Sequence, residues 1–340
     1  MRKAALAIAI AAIALLPAGA ANAGPVLDAV KARGELVCGV RGDTLGFAHP
    51  LADGKYVGFA VDICRAIGVA ILGDAAKVKF VPLPADKRFA ALKAGEVDVL
   101  VSGTTHTMNR ELEHDFDFVA TYLYDGQGFM VPRKLGKRSL KDLADVSICV
   151  TAGTTTERNL ADYFRRNNKP YKPVPFGKVE DLRAAFFGGK CDAYTGDATA
   201  LFAARAAYAP IPQEYIVLPE LISKEPLAVI VRDGDPAFAA IARWAFLAMI
   251  QAEEAGITSA NVDQMAKSDS PEIKLLLGTT PGIGKVLGLD DKWIYRIVKL
   301  VGNYGESYER NLGRTSQLKI PRGLNALWTQ GGMQYSPPFR

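Results

Sequence analysis

Residues 88–111 read RFAALKAGEVDVLVSGTTHTMNRE. The first third of this stretch continues a helical pattern that spans 86–94, with Phe89 and Leu92 facing inward and Gly95 as its stop. A short apolar run over 97–101 follows, bounded by turn residues, as in a strand buried on both faces. At its carboxyl end stand Ser102, Thr104, Thr105 and Thr107, and then Arg110. Small polar residues after a strand often make only a turn, so the question is whether these also line a site.

The same alternation extends to both sides. A strand over 35–40, a helix over 62–72 stopped by Gly73 and Asp74, and a strand over 77–81 precede the stretch. Strands alternating with helices imply a parallel sheet with helices on both faces. After a strand-rich run at 128–131 a second unit repeats the order, with a strand over 146–150, helices over 156–164 and 179–187, a strand over 191–194 and a helix over 198–207. The strand 227–231 and the amphipathic helix 236–251, which carries Phe238, Ile241, Trp244, Ala245 and Ala248, return to the first unit. The pattern predicts an α/β protein of two similar lobes, with lobe 1 from 26–125 plus 227–270 and lobe 2 from 126–226. Two crossing strands, near 122–130 and 218–230, would then form a hinge. Residues 271–340 read as a C-terminal extension packed on lobe 1. Within it, GTTPGIGKV (278–286) has its first glycine one residue too early for a phosphate loop and Val286 where a hydroxyl is needed, so it reads as a Gly/Pro loop before a helix at 290–301.

The N-terminus bounds the compartment. Arg2 and Lys3, an apolar run, and the small residues Ala21, Asn22 and Ala23 pattern as a signal peptide over 1–23, cleaved after Ala23. Pro17 and the small residues after it leave the run short for a bilayer span of about 20 residues. Losing Arg2 and Lys3 takes the formal net charge from +5 to +3, too weak and dispersed for a nucleic-acid partner. A mature chain of about 315 residues exceeds one compact core, which favours two domains. In an exported chain the four cysteines are expected to pair. Cys38 with Cys64 and Cys149 with Cys191 keeps each bridge inside one region, and the first would contribute about 3 to 4 kcal/mol. The alternative is buried free thiols.

In an open parallel sheet, ligands sit beyond the carboxyl ends of the strands. Three polar stretches fall there: 102–105, Gly153 to Thr156, and Thr195 to Asp197. Arg110 offers a planar fork for a carboxylate, Thr105 and Thr155 add hydroxyl donors, and the helix start at 153–156 favours an anion. Asp197 accepts hydrogen bonds only, which suits an ammonium group. Together these describe a zwitterion pocket. Each also has a plain structural use: Arg110 as a solvated surface residue, Asp197 as the N-cap of 198–207, and Thr154 or Thr155 as a cap of the helix after it.

The stretches GFAVDICRAI (58–67), 88–111, DFDFVATYLYDGQGFMV (115–131), ICVTAGTTTERNL (148–160) and GGKCDAYTGD (188–197) carry a family resemblance. Together they resemble the periplasmic polar amino-acid-binding proteins of ABC importers (solute-binding family 3). The ends GNYGESYERNLG (302–313) and RGLNALWTQGGMQYSPPFR (322–340) are similar to the longer C-terminal region of the general L-amino-acid-binding branch. The resemblance implies a type II periplasmic binding protein fold with a C-terminal helical extension. It also implies a monomer that captures L-amino acids and delivers them to an inner-membrane ABC permease, with no cofactor and no metal. By the same resemblance Arg110 holds the α-carboxylate with Thr105 beside it, and the Gly103 carbonyl meets the α-ammonium. Thr155, with Thr154 next to it, faces the carboxylate from the other lobe, and Asp197 meets the ammonium. The loop after the first strand carries Arg41 and only one aromatic ring, Phe47, which aligns late. A looser side-chain pocket would give broad specificity, with Arg41 favouring acidic or polar ligands.

Two other readings compete. An exported enzyme on the same scaffold, similar to periplasmic cyclohexadienyl-type dehydratases, needs a proton-transfer group in the cleft, and His106 is the histidine available in a candidate loop. A ligand-sensing module would carry a membrane span, and no later apolar run is long enough. His49, His106 and His114 lack metal-ligand spacing, and no nucleophile elbow is present.

Overall fold

A computed structural model of the chain describes residues 24–340; the leader read over 1–23, with its cleavage after Ala23, lies outside the described residues. Helix α1 (Pro25–Arg33) opens on a proline, whose missing N–H is one that a first turn leaves unpaired anyway, and closes on Gly34 in the left-handed region. Strand β1 (Leu36–Val40), a ribbon of β2 (His49–Pro50) and β3 (Tyr56–Val57), and the nearly all-apolar α2 (Phe59–Leu72) follow. Then come β4 (Val78–Pro82), α3 (Arg88–Lys93), β5 (Val99–Leu100), α4 (Met108–His114) and the long β6 (Phe116–Asp125).

The second unit comprises β7 (Gln127–Pro132), β8 (Val146–Thr151), α5 (Thr155–Arg166), β9 (Tyr171–Phe176), α6 (Val179–Phe187), β10 (Ala193–Asp197), α7 (Ala198–Tyr208) and β11 (Tyr215–Val217). β12 (Glu225–Arg232) and α8 (Pro236–Glu254) return to the first. The sheets have the orders β4-β1-β5-β12-β6 and β9-β8-β10-β7-β11, and in each four strands run one way while the fourth in order, β12 or β7, runs against them. The central strands are apolar along their length because helices cover both faces.

The chain passes between the sheets at 125–127 and again at 218–225, which makes the two-strand hinge. Asp125 and Glu225 are register partners at that boundary. The two passages run so close that a Cβ on Gly126 would lie 2.8 Å from Leu221 Cδ1 and from Ser223 O. Cys38–Cys64 ties β1 to α2, and Cys149–Cys191 ties β8 to the residues before β10, so all four thiols are oxidised.

The C-terminal segment forms α9 (Val262–Met265), α10 (Pro271–Leu276), α11 (Ile283–Val286), α12 (Trp293–Leu300) and α13 (Tyr304–Asn311). Trp293, Ile297, Tyr304 and Tyr308 are fully buried in the same core as α2 and α8. Asp62 of α2 accepts from Ser307, Arg310 and Asn311, and Arg322 forks onto Glu253. In the glycine-rich stretch at 278–286, Asp291 accepts from the N–H groups of Gly282 and Gly284, so donors that a phosphate would need are already taken. Where the sequence suggested only a loop, residues 283–286 form the single turn α11.

Candidate functional site

The loops after β1 and β5 face those after β8 and β10. Between them lies a recess bordered by Arg41, Gly103, Thr105 and Arg110 from the first sheet's side, and by Thr154, Thr155 and Asp197 from the second. Phe47 borders an adjoining hollow that shares Arg41, Gly103 and Asp197 with it. The structure therefore brings seven of the eight residues singled out in the sequence to one recess and leaves Phe47, 6% exposed and packed in the core, in the hollow beside it.

Arg110 is not a solvated arginine: it is 6% exposed. Thr107 caps α4 by accepting from the Arg110 N–H, and Arg110 Nη1 donates to Thr105 O at 2.8 Å. Burial lowers its pKa, with Glu225 the leading opposing charge. Gly103 has φ +63, a conformation that favours glycine, and its N–H donates to Tyr122 OH at 2.9 Å. The group Gly103 retains for a ligand is thus its carbonyl.

On the other side, Thr154 is the cap of α5, accepting from Glu157 N and donating to Thr151 O at 2.7 Å. Asp197 precedes α7 but makes no cap bond. Asp125 does that work instead, accepting from Thr199 N and Oγ1, which leaves the Asp197 carboxyl to the cleft. Burial first, then the nearby Asp125 and Glu225, push Asp197 up to about 8, against Arg41 and Arg110. Burial likewise pushes Asp125 up to about 6, against bonds from Thr199 and Gly126. A cation arriving beside Asp197 would therefore find a carboxyl primed to release its proton.

Three features were not singled out in the sequence. Arg88 borders the same recess, is 6% exposed, and its Nε has no partner. Burial, with Arg110 and Arg41 adding repulsion, holds its pKa down at about 9. The available signal is helical: Arg88 lies on the α3 face of Ala91 and Leu92, both buried. The second is Glu225, 1% exposed, whose Oε2 accepts from Thr105 Oγ1 at 2.5 Å and Thr155 Oγ1 at 3.0 Å. Its Oε1 accepts from Ser223 Oγ at 2.6 Å and Asn159 Nδ2 at 2.7 Å. A hydroxyl has one proton to give, so in this arrangement those of Thr105 and Thr155 are directed to Glu225. Arg110 and the first-turn N–H groups of α5 remain as donors for a bound anion. The third is a contact between the two sides at Asp43, Arg183 and Tyr208.

His106 does not border the recess. Its Nε2 lies 2.5 Å from Glu111 Oε2, and its ring stacks on Phe118 at 4.5 Å. Asp98 and Asp192 also lie elsewhere, accepting from the N–H groups of Val37 and Ser147.

Two sheets hinged by two passages, with polar groups from both facing one cleft, define a two-lobed ligand-binding protein. Residues 36–259 match the bacterial extracellular solute-binding proteins, family 3, and the chain belongs to that family. It is 50% identical over 330 residues, 97% of each chain, to the glutamate/glutamine/aspartate/asparagine-binding protein of Rhodobacter capsulatus. It is 48% identical over 342 residues, 100% of each, to the general L-amino acid-binding periplasmic protein of Rhizobium johnstonii. Among solved structures it is similar to an ABC transporter periplasmic binding protein from Brucella ovis with glutathione bound. That match has a TM-score of 0.91 and 52% identity, covering 92% of this chain and 99% of the other. The fold is that of the type II periplasmic binding proteins.

Proposed function

We propose that this protein is a periplasmic solute-binding protein that captures L-amino acids of several kinds and delivers them to an ABC permease. One observation carries the reading: Arg110 on α4 and Asp197 at the end of β10 border one recess from opposite sides. A guanidinium on one side and an acid on the other suit the two charges of a free amino-acid backbone. In this reading Arg110 takes the α-carboxylate, assisted by the first-turn N–H groups of α5 that Thr154 caps, while the hydroxyls of Thr105 and Thr155 stay on Glu225 and brace that end of the recess. Asp197 and the Gly103 carbonyl take the α-ammonium, while Arg41, Phe47 and Arg88 meet the side chain. Three guanidiniums around one recess exceed the need of a single carboxylate, which favours acidic ligands and their amides. The relatives that bind glutamate, glutamine, aspartate and asparagine, or L-amino acids generally, support this.

The lobes we assign are 26–125 plus 227–270 and 126–226, with 271–340 as an extension of the first. Ligand favours the closed state because it bridges both lobes, and the closed surface is what the permease reads. We assign export by the leader over 1–23, action as a monomer, and no chemistry performed on the ligand. The recess continues past Arg41, Ala85 and Thr151 into a groove that reaches Lys178, room for a ligand longer than a free amino acid. With glutathione bound in the Brucella protein, γ-glutamyl peptides are a second ligand class for this chain.

A thermal-shift panel of L-amino acids, D-amino acids, decarboxylated amines and glutathione tests the reading. Stabilisation by L-amino acids and by no decarboxylated amine is expected. Turnover of a prephenate-like acid, or indifference to every L-amino acid, would overturn it.

A further inference from the structure

We propose that Asp43, Arg183 and Tyr208 form a latch that holds the two lobes shut without touching a bound free amino acid, and so sets the fraction of protein competent to bind. This rests on the reading that the cleft captures amino acids by closing. Asp43 lies in the loop after β1, Arg183 on α6 and Tyr208 at the end of α7, so the contact spans the two lobes. Arg183 Nη1 donates to Asp43 Oδ2 at 2.9 Å, and Tyr208 OH donates to the Asp43 carbonyl at 2.6 Å. The Arg183 guanidinium also lies over the Tyr208 ring at 4.3 Å. The remaining Asp43 oxygen accepts from Thr44 Oγ1 at 3.1 Å. Both acceptor oxygens of the carboxylate and its backbone carbonyl are therefore engaged.

Two physical features separate this contact from an incidental surface pair. The side chains of Arg183 and Asp43 are 6% and 23% exposed, so solvent and salt screen the pair far less than at an open surface. The loop that presents Asp43 is also braced: Gly42 has φ +79, and a Cβ there would lie 2.5 Å from Pro82 Cβ of β4. Neither Arg183 nor Tyr208 borders the recess that holds Arg110 and Asp197. Arg183 instead lies beside Tyr194, which does border it, so the latch abuts the site through one buried ring. A contact made only when the lobes meet adds its free energy to the closed state alone. It then scales apparent affinity for every free amino acid by one factor, because affinity follows the competent fraction.

The test uses the mature chain and the variants Arg183→Met, Asp43→Asn, their double combination, and Arg183→Lys. Calorimetry with L-glutamate, L-glutamine and L-leucine is paired with small-angle scattering with and without ligand. Arg183→Met should raise every Kd by the same factor, about tenfold. The double variant should be no worse than the poorer single, Arg183→Lys should recover part of the loss, and ligand-saturated scattering should match wild type. Unchanged Kd values, or losses that reorder the ligands, would overturn the latch, the latter by making Asp43 a ligand contact. Should the wild-type protein bind none of the three, the functional reading fails separately. Ligand-free scattering then decides the latch: expansion in Arg183→Met supports it and identical profiles refute it.

Discussion

The hydroxyls of Thr105 and Thr155 lie 3.5 Å apart across the cleft, and both donate to one oxygen of Glu225. Glu225 begins β12, the returning passage of the hinge, so one buried carboxylate ties loops of both lobes to the pivot. Replacing it by glutamine keeps the shape and puts a donor where one carboxylate oxygen accepted. Glu225→Gln should cost about 2 to 3 kcal/mol of unfolding free energy, measured by denaturant titration. It should also let Asp197 titrate lower, since the Glu225 charge is among the causes that raise it. Stability equal to wild type would show that these bonds do not hold the lobes together.

Arg88 should separate ligand classes. Arg88→Met keeps the apolar stem and removes the guanidinium, so L-glutamate and L-aspartate should bind about 10- to 100-fold more weakly while L-leucine changes little. Equal losses for all three in calorimetry would mean that Arg88 only supports the shape of the loop.

The acid pushed up to about 8 at Asp197 has two pH consequences. Folded Asp197 keeps its proton to about pH 8, whereas an unfolded aspartate loses it near pH 4. Across that interval the ligand-free native state holds more protons than the unfolded chain, so its stability should fall as pH rises from about 4 to about 8. Asp125, raised to about 6, acts in the same direction over the lower part of the window. An amino acid that needs the carboxylate should then release close to one proton at pH 6.5 and progressively less above pH 8. Calorimetry in buffers of different ionisation enthalpy reads that release, and Asp197→Asn should abolish it. Proton uptake, or release that persists in Asp197→Asn, would place the proton elsewhere.

The bridge between Cys149 and Cys191 closes 42 residues of the second lobe. Replacing both cysteines by alanine should cost about 4 kcal/mol on the chain-entropy account. Ligand ranking should be unaffected, because neither cysteine borders the recess. A reordered ranking in calorimetry would count against that separation.

Much of this architecture is legible in the sequence because parallel strands covered on both faces become unbroken apolar runs, as at 97–101 and 227–231. The loops that carry Gly103, Arg110, Thr155 and Asp197 follow such strands, which is why their meeting could be anticipated. β9 was hidden by Pro173 and Pro175, which are tolerated because this strand lies at the edge of its sheet. α1 was hidden by Pro25, a helix starter that reads as a breaker. Arg88 opens α3 just after the loop that follows β4, and the helical pattern read over 86–94 absorbs it as a helix residue rather than a ligand group. The partners of Asp43 lie 140 and 165 residues away, and no local pattern encodes a contact between segments so distant in the chain.

The central claim is that Arg110 and Asp197 grip opposite charges of one amino-acid backbone. Calorimetric titration of Arg110→Ala with L-glutamate, L-glutamine and L-leucine tests it most directly. The account predicts a loss of about 3 to 5 kcal/mol for all three alike, the cost of burying a carboxylate without its partner. Near-wild-type affinity for any one of them would contradict it.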